Sequence, residues 1–225
     1  MDYPLPIYNL GTGTESFSTK RDSSIPYPVI TGHQVHGVKV AIVDRPDMTR
    51  DDLDGYDALM TNLPGVAIGV RTADCVPILL YDPVREVVAA VHSGWKGTVQ
   101  RIVQKTIFAM RNHYGTVEAD IKAVIGPSIG PDSFQVGEEV VQHFKNQGFP
   151  LEKIWFFNEG EGSSEMYHGH HIDLWEANQW LLEQSGVLKD NIRVCGIDTY
   201  TNPSFYSARR EGVNCGRIIS AIKLT

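Results

Sequence analysis

Three short apolar runs follow one another in the first half of the chain, with only turn-prone segments between them. They occupy 66–70 (VAIGV), 76–81 (VPILLY) and 87–91 (VVAAV). Continuous apolar runs of this length are typical of strands buried in a protein interior. Because strand-like and helical segments follow one another without a regular alternation, we predict an α+β fold rather than a doubly wound sheet.

Helical periodicity is present in three later segments, each after a turn or a strand-like run. We predict that Thr98 caps the first helix and Asp173 caps the third, which covers 172–187. The tract before the third helix, which ends in HGHH, is predicted to be an exposed loop, and the chain after that helix is predicted to contain strand-like pieces around a polar turn. The predicted apolar faces of the first two helices are Val99, Ile102, Val103, Thr106 and Ile107, and Val136, Val140, Val141 and Phe144.

Composition narrows the class of protein. The 225 residues suffice for one sizeable core and no linker-like tract divides them, so we expect a single domain over 1–225. A formal charge of -7 without a basic run argues against a nucleic-acid partner. The apolar runs are far shorter than the ~20 residues of a membrane helix, and the N-terminal sequence lacks the pattern of a signal peptide. Three cysteines without CxxC spacing fit a reducing compartment, so we expect a cytoplasmic protein. We also expect a monomer that acts on a small molecule.

Three residues that bind soft or borderline metals lie beside tight turns, namely His36, Cys75 and His92. Two imidazoles and one thiolate suit Zn²⁺, and three protein ligands leave a fourth position for water, as in catalytic zinc sites. Water held in this way acts as a nucleophile near neutral pH. Because the three residues form no local motif, each keeps an alternative: Cys75 as a small buried hydrophobe, and the histidines as hydrogen-bonded structural residues.

Six ordered segments resemble one protein family: TGHQVHG, VRTADCVPILLYDP, VAAVHSGWKGT, IGPSIGPDSFQVGEEV, HIDLWEAN and FYSARREGVNCGR. The family is that of laccase-domain or multicopper polyphenol oxidase proteins, and the resemblance extends from about Ile30 onward. It implies a zinc ion on His36, Cys75 and His92, and a layered α/β/β/α fold in which a mixed sheet sandwich is flanked by helices. It also implies purine nucleoside chemistry: phosphorolysis of adenosine, inosine and methylthioadenosine, and hydrolytic deamination of adenosine.

Two other hypotheses remain open. A bacterial branch of the family, the peptidoglycan editing factor, resembles an amidase that removes a wrong amino acid from a muramyl precursor. A zinc-binding regulatory protein without turnover is the third hypothesis, and it predicts a closed shell of four protein ligands. The oxidase name is not matched by the residues, because oxygen reduction needs further copper ions with paired imidazoles and only His168 and His170 form a His-x-His pair. Copper, if bound, is therefore expected to be adventitious.

Several side chains near these segments have candidate roles, each with an alternative. Asp74 could act as general acid and base, orient a metal-bound histidine, or cap its turn. Lys96 could bind phosphate at a helix N-terminus or remain in solvent, and Gln34 could bind substrate or brace its loop. Arg209 and Arg210 offer planar forks suited to phosphate or carboxylate, and we expect one of them to face the cleft. The catalytic candidates are thus Asp74, Cys75, Lys96, Arg209 and Arg210, and the substrate-binding candidates are Gln34, Lys96 and Arg210.

Two positions depart from the family pattern. Asp198 stands where relatives often carry a cysteine, and an ionised carboxylate only accepts hydrogen bonds, so it cannot replace a thiol nucleophile. Cys215 stands where serine is common, and we interpret it as structural. The Asp-rich segment 45–57 is interpreted as a solvated loop. Together the observations favour a zinc-dependent enzyme that acts on purine nucleosides with phosphate or water.

Overall fold

The computed structural model of the chain describes residues 6–159 and 168–225. In these residues the strands form three sheets, with six-stranded order β12-β8-β6-β7-β4-β3, four-stranded order β1-β13-β5-β2 and three-stranded order β10-β11-β9. The strands are β1 (Thr14–Ser18), β2 (Ile30–Thr31), β3 (Val40–Ile42), β4 (Ala58–Thr61), β5 (Ile68–Thr72), β6 (Val76–Asp82), β7 (Val87–Ser93), β8 (Lys122–Ile125), β9 (Gln135–Val136), β10 (Trp155–Asn158), β11 (Gly169–Ile172), β12 (Ile192–Val194) and β13 (Ile218–Leu224).

The α-helices follow the strands at irregular intervals along the chain. None of them, within the described ranges, has the length and apolar character needed to span a membrane. They are α1 (Trp95–Val99), α2 (Ile102–Tyr114), α3 (Glu138–Asn146), α4 (Leu151–Ile154), α5 (Leu174–Gln184) and α6 (Ala208–Glu211).

The six-stranded sheet separates two hydrophobic cores. Successive side chains of a strand point to opposite faces of its sheet. On one face Ile78 of β6 and Val91 of β7 pack with α2, α3 and α5. On the other face Leu79 and Ala90 pack against β5 and β13 of the four-stranded sheet. The three-stranded sheet packs beside them against α3 and α4. The predictions of an α+β fold and of a mixed sheet sandwich flanked by helices are confirmed.

The first predicted helix differs from the prediction. Its apolar face is buried as expected, but it consists of α1 and α2, and Thr98 lies inside α1 instead of capping it. The break falls at Arg101, whose φ of 64° lies in the left-handed region. The guanidinium donates to the carbonyl oxygen of Gln147 at 2.7 Å and stacks 5.3 Å from the Phe149 ring centroid. Tertiary contacts therefore stabilise a backbone conformation that helical periodicity does not reveal.

The predicted exposed loop ending in HGHH is wrong at its last three residues, whereas Glu159 and His168 are exposed as predicted. His170 and His171 belong to β11, which pairs with β10 and β9. The His171 side chain is buried and its ring stacks on Phe156 at 5.0 Å. The part of that loop at 160–167 lies outside the described residues. Val136 was predicted to belong to the second helix, but it lies in β9, because α3 begins only after Gly137.

The last two helices show how far local signals determine helix ends. Asp173 caps α5 as predicted, since its carboxylate accepts from the backbone N–H of Glu176 at 2.9 Å. The segment predicted to contain only strand-like pieces includes the one-turn helix α6. Ser207 caps α6 by accepting from the backbone N–H of Arg210. A serine followed by alanine and charged residues is a helix-start signal that the strand-like surroundings concealed.

Truncation of a buried aromatic side chain tests the core between the six-stranded sheet and the helices. Phe144 is fully buried on α3, whereas Phe108 on α2 is 55% exposed. We expect Phe144→Ala to lower the free energy of unfolding by about 3–5 kcal/mol, because it removes apolar contact and leaves a cavity. Phe108→Ala is the matched control and should change it by less than about 1 kcal/mol. Urea denaturation followed by circular dichroism measures both, and equal losses would contradict the assigned packing.

Candidate metal centre and its cavity

Strand pairing brings the three predicted metal ligands to one edge of the six-stranded sheet. Cys75 directly precedes β6, and His92 is the penultimate residue of β7. These strands are antiparallel, with Val76 paired to Ser93, so the start of β6 lies beside the end of β7. His36 comes from the loop between β2 and β3. Residues that are distant in sequence thus meet because of sheet register.

The ligand atoms of His36, Cys75 and His92 all lie within 4.8 Å of one another. Nε2 of His36 is 3.8 Å from Sγ of Cys75, and the two imidazole rings are 4.9 Å apart at their centroids. Metal–ligand bonds of about 2.0–2.3 Å place the ligand atoms of a tetrahedral site about 3.3–3.6 Å apart. The cluster could therefore hold one metal ion after only small side-chain movements.

A buried carboxylate, that of Asp57, fixes two of the ligands. Oδ1 accepts hydrogen bonds from Nδ1 of His92 at 2.7 Å and from the backbone N–H of His36 at 2.9 Å. Oδ2 accepts from the backbone N–H groups of Val35 at 3.2 Å and Gly37 at 2.8 Å. Because Nδ1 of His92 is used in this way, Nε2 remains available as a ligand atom. Asp57 thereby positions one histidine by its ring and the other by its backbone.

The interpretation of 45–57 as a solvated loop is wrong at Leu53, which is buried in the hydrophobic core, and at the last residue, Asp57. Asp57 is 1% exposed. The antiparallel pairing of Ala58 with Val91 places Asp57 opposite His92 on the neighbouring strand. The preceding acidic residues of this segment conform to the prediction and are exposed. The position of Asp57 directly before the apolar run ALMT was the sequence signal that set it apart.

Electrostatics in the metal-free cluster favour a thiolate at Cys75. Burial alone would raise the pKa of the Cys75 thiol, but the charge of His92 and the hydrogen bond with His36 lower that pKa to about 6. Burial alone would lower the pKa of His92, but the Cys75 thiolate and the Asp57 carboxylate raise that pKa to about 9. The thiolate is the form of cysteine that binds metals.

Gly94 allows the ligands to approach the backbone. A Cβ atom at this position would lie 2.9 Å from Sγ of Cys75 and 3.2 Å from Cδ2 of His36. Gly97 in the same HSGWKG segment is different, because its nearest neighbour would be the Ile102 side chain at 3.4 Å. The glycine at 94 therefore matters for the metal cluster, and the glycine at 97 does not.

The cluster opens into a cavity of about 610 Å³. Its wall includes three arginines, Arg50, Arg71 and Arg217, and none of its described lining residues is an aspartate or glutamate. These arginines were not predicted as site residues. Arg71 lies four residues before Cys75 in the same VRTADC segment. This proximity to a predicted metal ligand was the sequence signal that could have identified Arg71 as a site residue.

The Asp74 carboxylate accepts hydrogen bonds from the C-terminal segment and not from a metal-ligating histidine. Oδ1 accepts from the Thr199 hydroxyl at 2.7 Å, and Oδ2 accepts from the Ser207 hydroxyl at 3.1 Å and the backbone N–H of Arg209 at 2.7 Å. It thus ties the C-terminal segment to the turn before Cys75. The carboxylate that orients a metal-ligating histidine is Asp57 and not Asp74.

The two predicted arginines lie outside the cavity wall. Nη2 of Arg209 donates to the carbonyl oxygen of Gln135 at 3.0 Å. Arg210 contacts Glu211 and donates to three backbone carbonyls, those of Thr199, Tyr200 and Phe205. These contacts occupy Arg210 in holding the loop before α6, so the expectation that one of the pair faces the cleft is not met.

Gln34 lies in the cavity wall, whereas Lys96 lies outside it. Lys96 is exposed, its Nζ lies 5.6 Å from the Trp95 ring centroid, and it is not among the cavity-lining residues. Gln34 lines the cavity, but its amide is used by the backbone of Arg71: Nε2 donates to the Arg71 carbonyl and Oε1 accepts from the Arg71 N–H, both at 2.8 Å. This arrangement matches the alternative role of Gln34, in which its side chain braces the backbone instead of binding substrate.

The two departures from the family pattern have different surroundings. Asp198 accepts from the backbone N–H of Gly130 at 3.0 Å, the Ser133 hydroxyl at 2.5 Å and the backbone N–H of Tyr200 at 2.9 Å. It therefore joins two loops as a hydrogen-bond acceptor. Cys215 lines the metal cavity.

Substitution of Asp57 by asparagine tests its positioning role. We expect Asp57→Asn to lower the affinity for zinc about 10–100-fold, because the residue that orients a ligand loses its charge and one of its acceptor atoms. Chelator competition with Zn²⁺ measures the affinity. Asp47→Asn is the control, since Asp47 is 80% exposed in the same acidic segment. Equal zinc affinity in both variants would contradict the role of Asp57.

The contrast between two glycines gives a second test of the cluster. Gly94→Ala should reduce zinc binding at least about 10-fold, because a methyl group would displace Cys75 and His36 from a geometry that coordination requires. Gly97→Ala, in the same segment, should retain the binding of the parent protein. The zinc content after dialysis, measured by atomic spectroscopy, distinguishes the two. Full metal loading of Gly94→Ala would show that the ligands do not share an ion.

Comparison with known proteins finds relatives of similar sequence and fold. A curated relative named purine nucleoside phosphorylase, from Bacteroides thetaiotaomicron, is 39% identical over 90% of this chain and 75% of its own length. One named adenosine deaminase RL5, from an unknown prokaryotic organism, is 41% identical over 86% of this chain and 74% of its own. The crystal structure of the Bacillus licheniformis hypothetical protein YfiH superposes with a TM-score of 0.83 at 25% identity, over 94% of this chain and 93% of that chain.

The family resemblance predicted from the six segments is confirmed. The family model described as multi-copper polyphenol oxidoreductase laccase matches residues 17–225. The chain therefore belongs to this family.

Proposed function

We propose that the chain is a zinc-dependent enzyme of purine nucleosides, which catalyses phosphorolysis of adenosine, inosine and methylthioadenosine and deamination of adenosine. The observation that carries the proposal is a three-ligand metal cluster that opens into a cavity of about 610 Å³. Small-molecule sites commonly measure about 300–1,000 Å³, which accommodates a nucleoside. The relatives named purine nucleoside phosphorylase and adenosine deaminase support an enzyme that processes purine nucleosides.

The donor set supports zinc as the metal. One thiolate and two imidazoles suit Zn²⁺. A multicopper oxidase needs several copper ions with paired imidazoles. In the described part of the chain His36, Cys75 and His92 form a single metal-ligating cluster, and the His-x-His pair in HGHH does not join it. The residues thus favour one catalytic zinc ion over the copper chemistry in the family's description.

The number of ligands supports an enzyme over a zinc-binding regulatory protein. Structural zinc sites have four protein ligands, whereas catalytic sites have three and an open position. Among residues 6–159 and 168–225 no fourth histidine, cysteine or carboxylate joins the cluster. His36 is exposed towards solvent, whereas His92 is 3% exposed. The open side of the site therefore lies towards the cavity.

The chain's own residues prepare the site for this chemistry. A zinc ion on the cluster supplies Lewis acidity that activates water near neutral pH. Asp57 orients the His92 ring through Nδ1 and fixes the backbone of the His36 loop by a hydrogen bond. The lowered pKa of Cys75 keeps its sulfur in the ligand form at neutral pH. Substrate then enters from the open side, where the cationic wall faces it.

Removal of the thiolate ligand tests the function. We expect Cys75→Ala to lose both phosphorolysis and deamination by about 100-fold or more, because loss of a group that merely supports a ligand already costs about 10–100-fold. The measurement is chromatography of adenine, inosine and ribose phosphate after incubation of the zinc-loaded protein with adenosine, with and without phosphate. Cys195→Ala is the control, since Cys195 lies outside the cluster and the cavity wall.

Two results would overturn the proposal. One is turnover of adenosine that persists undiminished after zinc removal or in Cys75→Ala. The other is the absence of adenosine turnover together with cleavage of a muramyl-amino-acid precursor by the same preparation, which would establish the amidase hypothesis instead.

A further inference from the structure

The cavity beside the metal cluster is positively charged although the chain carries a formal charge of -7. Arg50, Arg71 and Arg217 line it, and its described wall has no carboxylate. A wall of one sign inside a protein of the opposite net sign requires a reason, because like charges repel one another at short range. A neutral nucleoside supplies no counter-charge.

Two of these arginines lie near the end of one strand pair. Arg71 lies on β5 and pairs with Ile219 on β13. Arg217 directly precedes β13, which begins at Ile218. Both arginines line the same cavity. The amide of Gln34 clamps the backbone of Arg71 from both sides and so fixes this position.

The guanidinium groups lack acidic partners. Among the ion pairs in the described residues, none includes Arg50, Arg71 or Arg217. Arg217 donates only to backbone carbonyls and to the sulfur of Cys215. Burial lowers the pKa of Arg71, and the nearby charges of Arg50 and Arg217 lower it further. Arg71 therefore lies among like charges, with no acidic partner among the described residues.

We propose that Arg71 and Arg217, with Arg50 at the rim, form a subsite for a phosphoryl group beside the metal cluster. Guanidinium forks match the oxygens of phosphate in geometry and charge. The group is either inorganic phosphate or the phosphoryl group of a nucleotide. As a site for the co-substrate, the inference rests on the proposed function; as a site that binds phosphate, it stands without turnover.

The subsite accounts for the phosphorolytic half of the proposed chemistry. An oxygen of hydrogen phosphate forms a bond to C1′ of the ribose, and the bond from C1′ to the purine nitrogen breaks. The electron pair of that bond goes to the purine, which takes up the proton that the phosphate loses. The products are the purine base and ribose 1-phosphate. Arg71 and Arg217 would hold the attacking dianion and leave the purine untouched.

Removal of one guanidinium tests the subsite by binding alone. Arg71→Gln suits the purpose, because the Arg71 side chain makes no hydrogen bond or ion pair among the described residues. Isothermal titration of the zinc-loaded protein with inorganic phosphate should show a loss of affinity of about 10-fold or more, as expected for a charge-assisted bidentate contact. Arg71→Lys should recover part of the affinity. Arg193→Gln is the control, since Arg193 is exposed on β12 and lines a different cavity.

Kinetics provide a readout that a purely structural role would not change. In Arg71→Gln the KM for phosphate in phosphorolysis should rise at least about 10-fold, whereas the KM for phosphate in Arg193→Gln should stay within about threefold of the parent value. Titration with adenosine and AMP separates the two sources. Tighter binding of AMP that depends on Arg71 assigns the site to a nucleotide, and equal binding assigns it to free phosphate.

The outcomes are distinct from those of the proposed function. Phosphate binding that depends on Arg71 supports the subsite even in the absence of adenosine turnover. The inference is overturned by a parent protein that binds neither phosphate nor AMP, or by an Arg71→Gln variant that binds them as the Arg193→Gln control does.

Discussion

The metal cluster depends on the hydrogen bonds of one buried carboxylate, that of Asp57. A carboxylate is tolerated in a protein interior only when its oxygens are fully hydrogen-bonded or paired. Asp57 meets this requirement with three successive backbone N–H groups of the His36 loop and the ring of His92. Successive N–H groups of this kind form an anion-binding nest. His36 has a φ of 60°, a rarely populated conformation that this nest stabilises.

A second buried carboxylate, that of Asp74, connects the other half of the cavity to the same edge of the sheet. Its partners Thr199, Ser207 and Arg209 belong to the C-terminal segment. The wall of the cavity continues from there to Cys215 and Arg217. The two carboxylates act differently: Asp57 orients metal ligands, and Asp74 attaches the C-terminal part of the cavity wall. The position of Asp74 next to Cys75 suggested the orienting role only as one of three alternatives.

The sequence was sufficient where the signal is local. Apolar runs identified β6 and β7, and the side chain of Asp173 identified the start of α5. The positions of His36, Cys75 and His92 beside turns left alternatives open, and the family resemblance singled these three residues out. The sequence was insufficient where the decisive contact is between distant strands. The burial of Asp57 follows from the register of β4 against β7, and the proximity of Arg71 to Arg217 follows from the pairing of β5 with β13. Register is set by the packing of whole faces, so no short motif contains it.

The charge of the cavity connects the two reactions of the proposed enzyme. Adenosine is neutral, and its deamination consumes only water, so neither reactant requires a cationic wall. Phosphorolysis does require one, because a dianion must approach the ribose in a site from which water is partly excluded, where an unpaired anion is costly. Three guanidinium groups and a divalent ion would offset that cost, and they would leave the smaller, uncharged water free to react when phosphate is absent. One cavity can therefore serve both reactions, with the occupant of the cationic wall deciding which of them takes place.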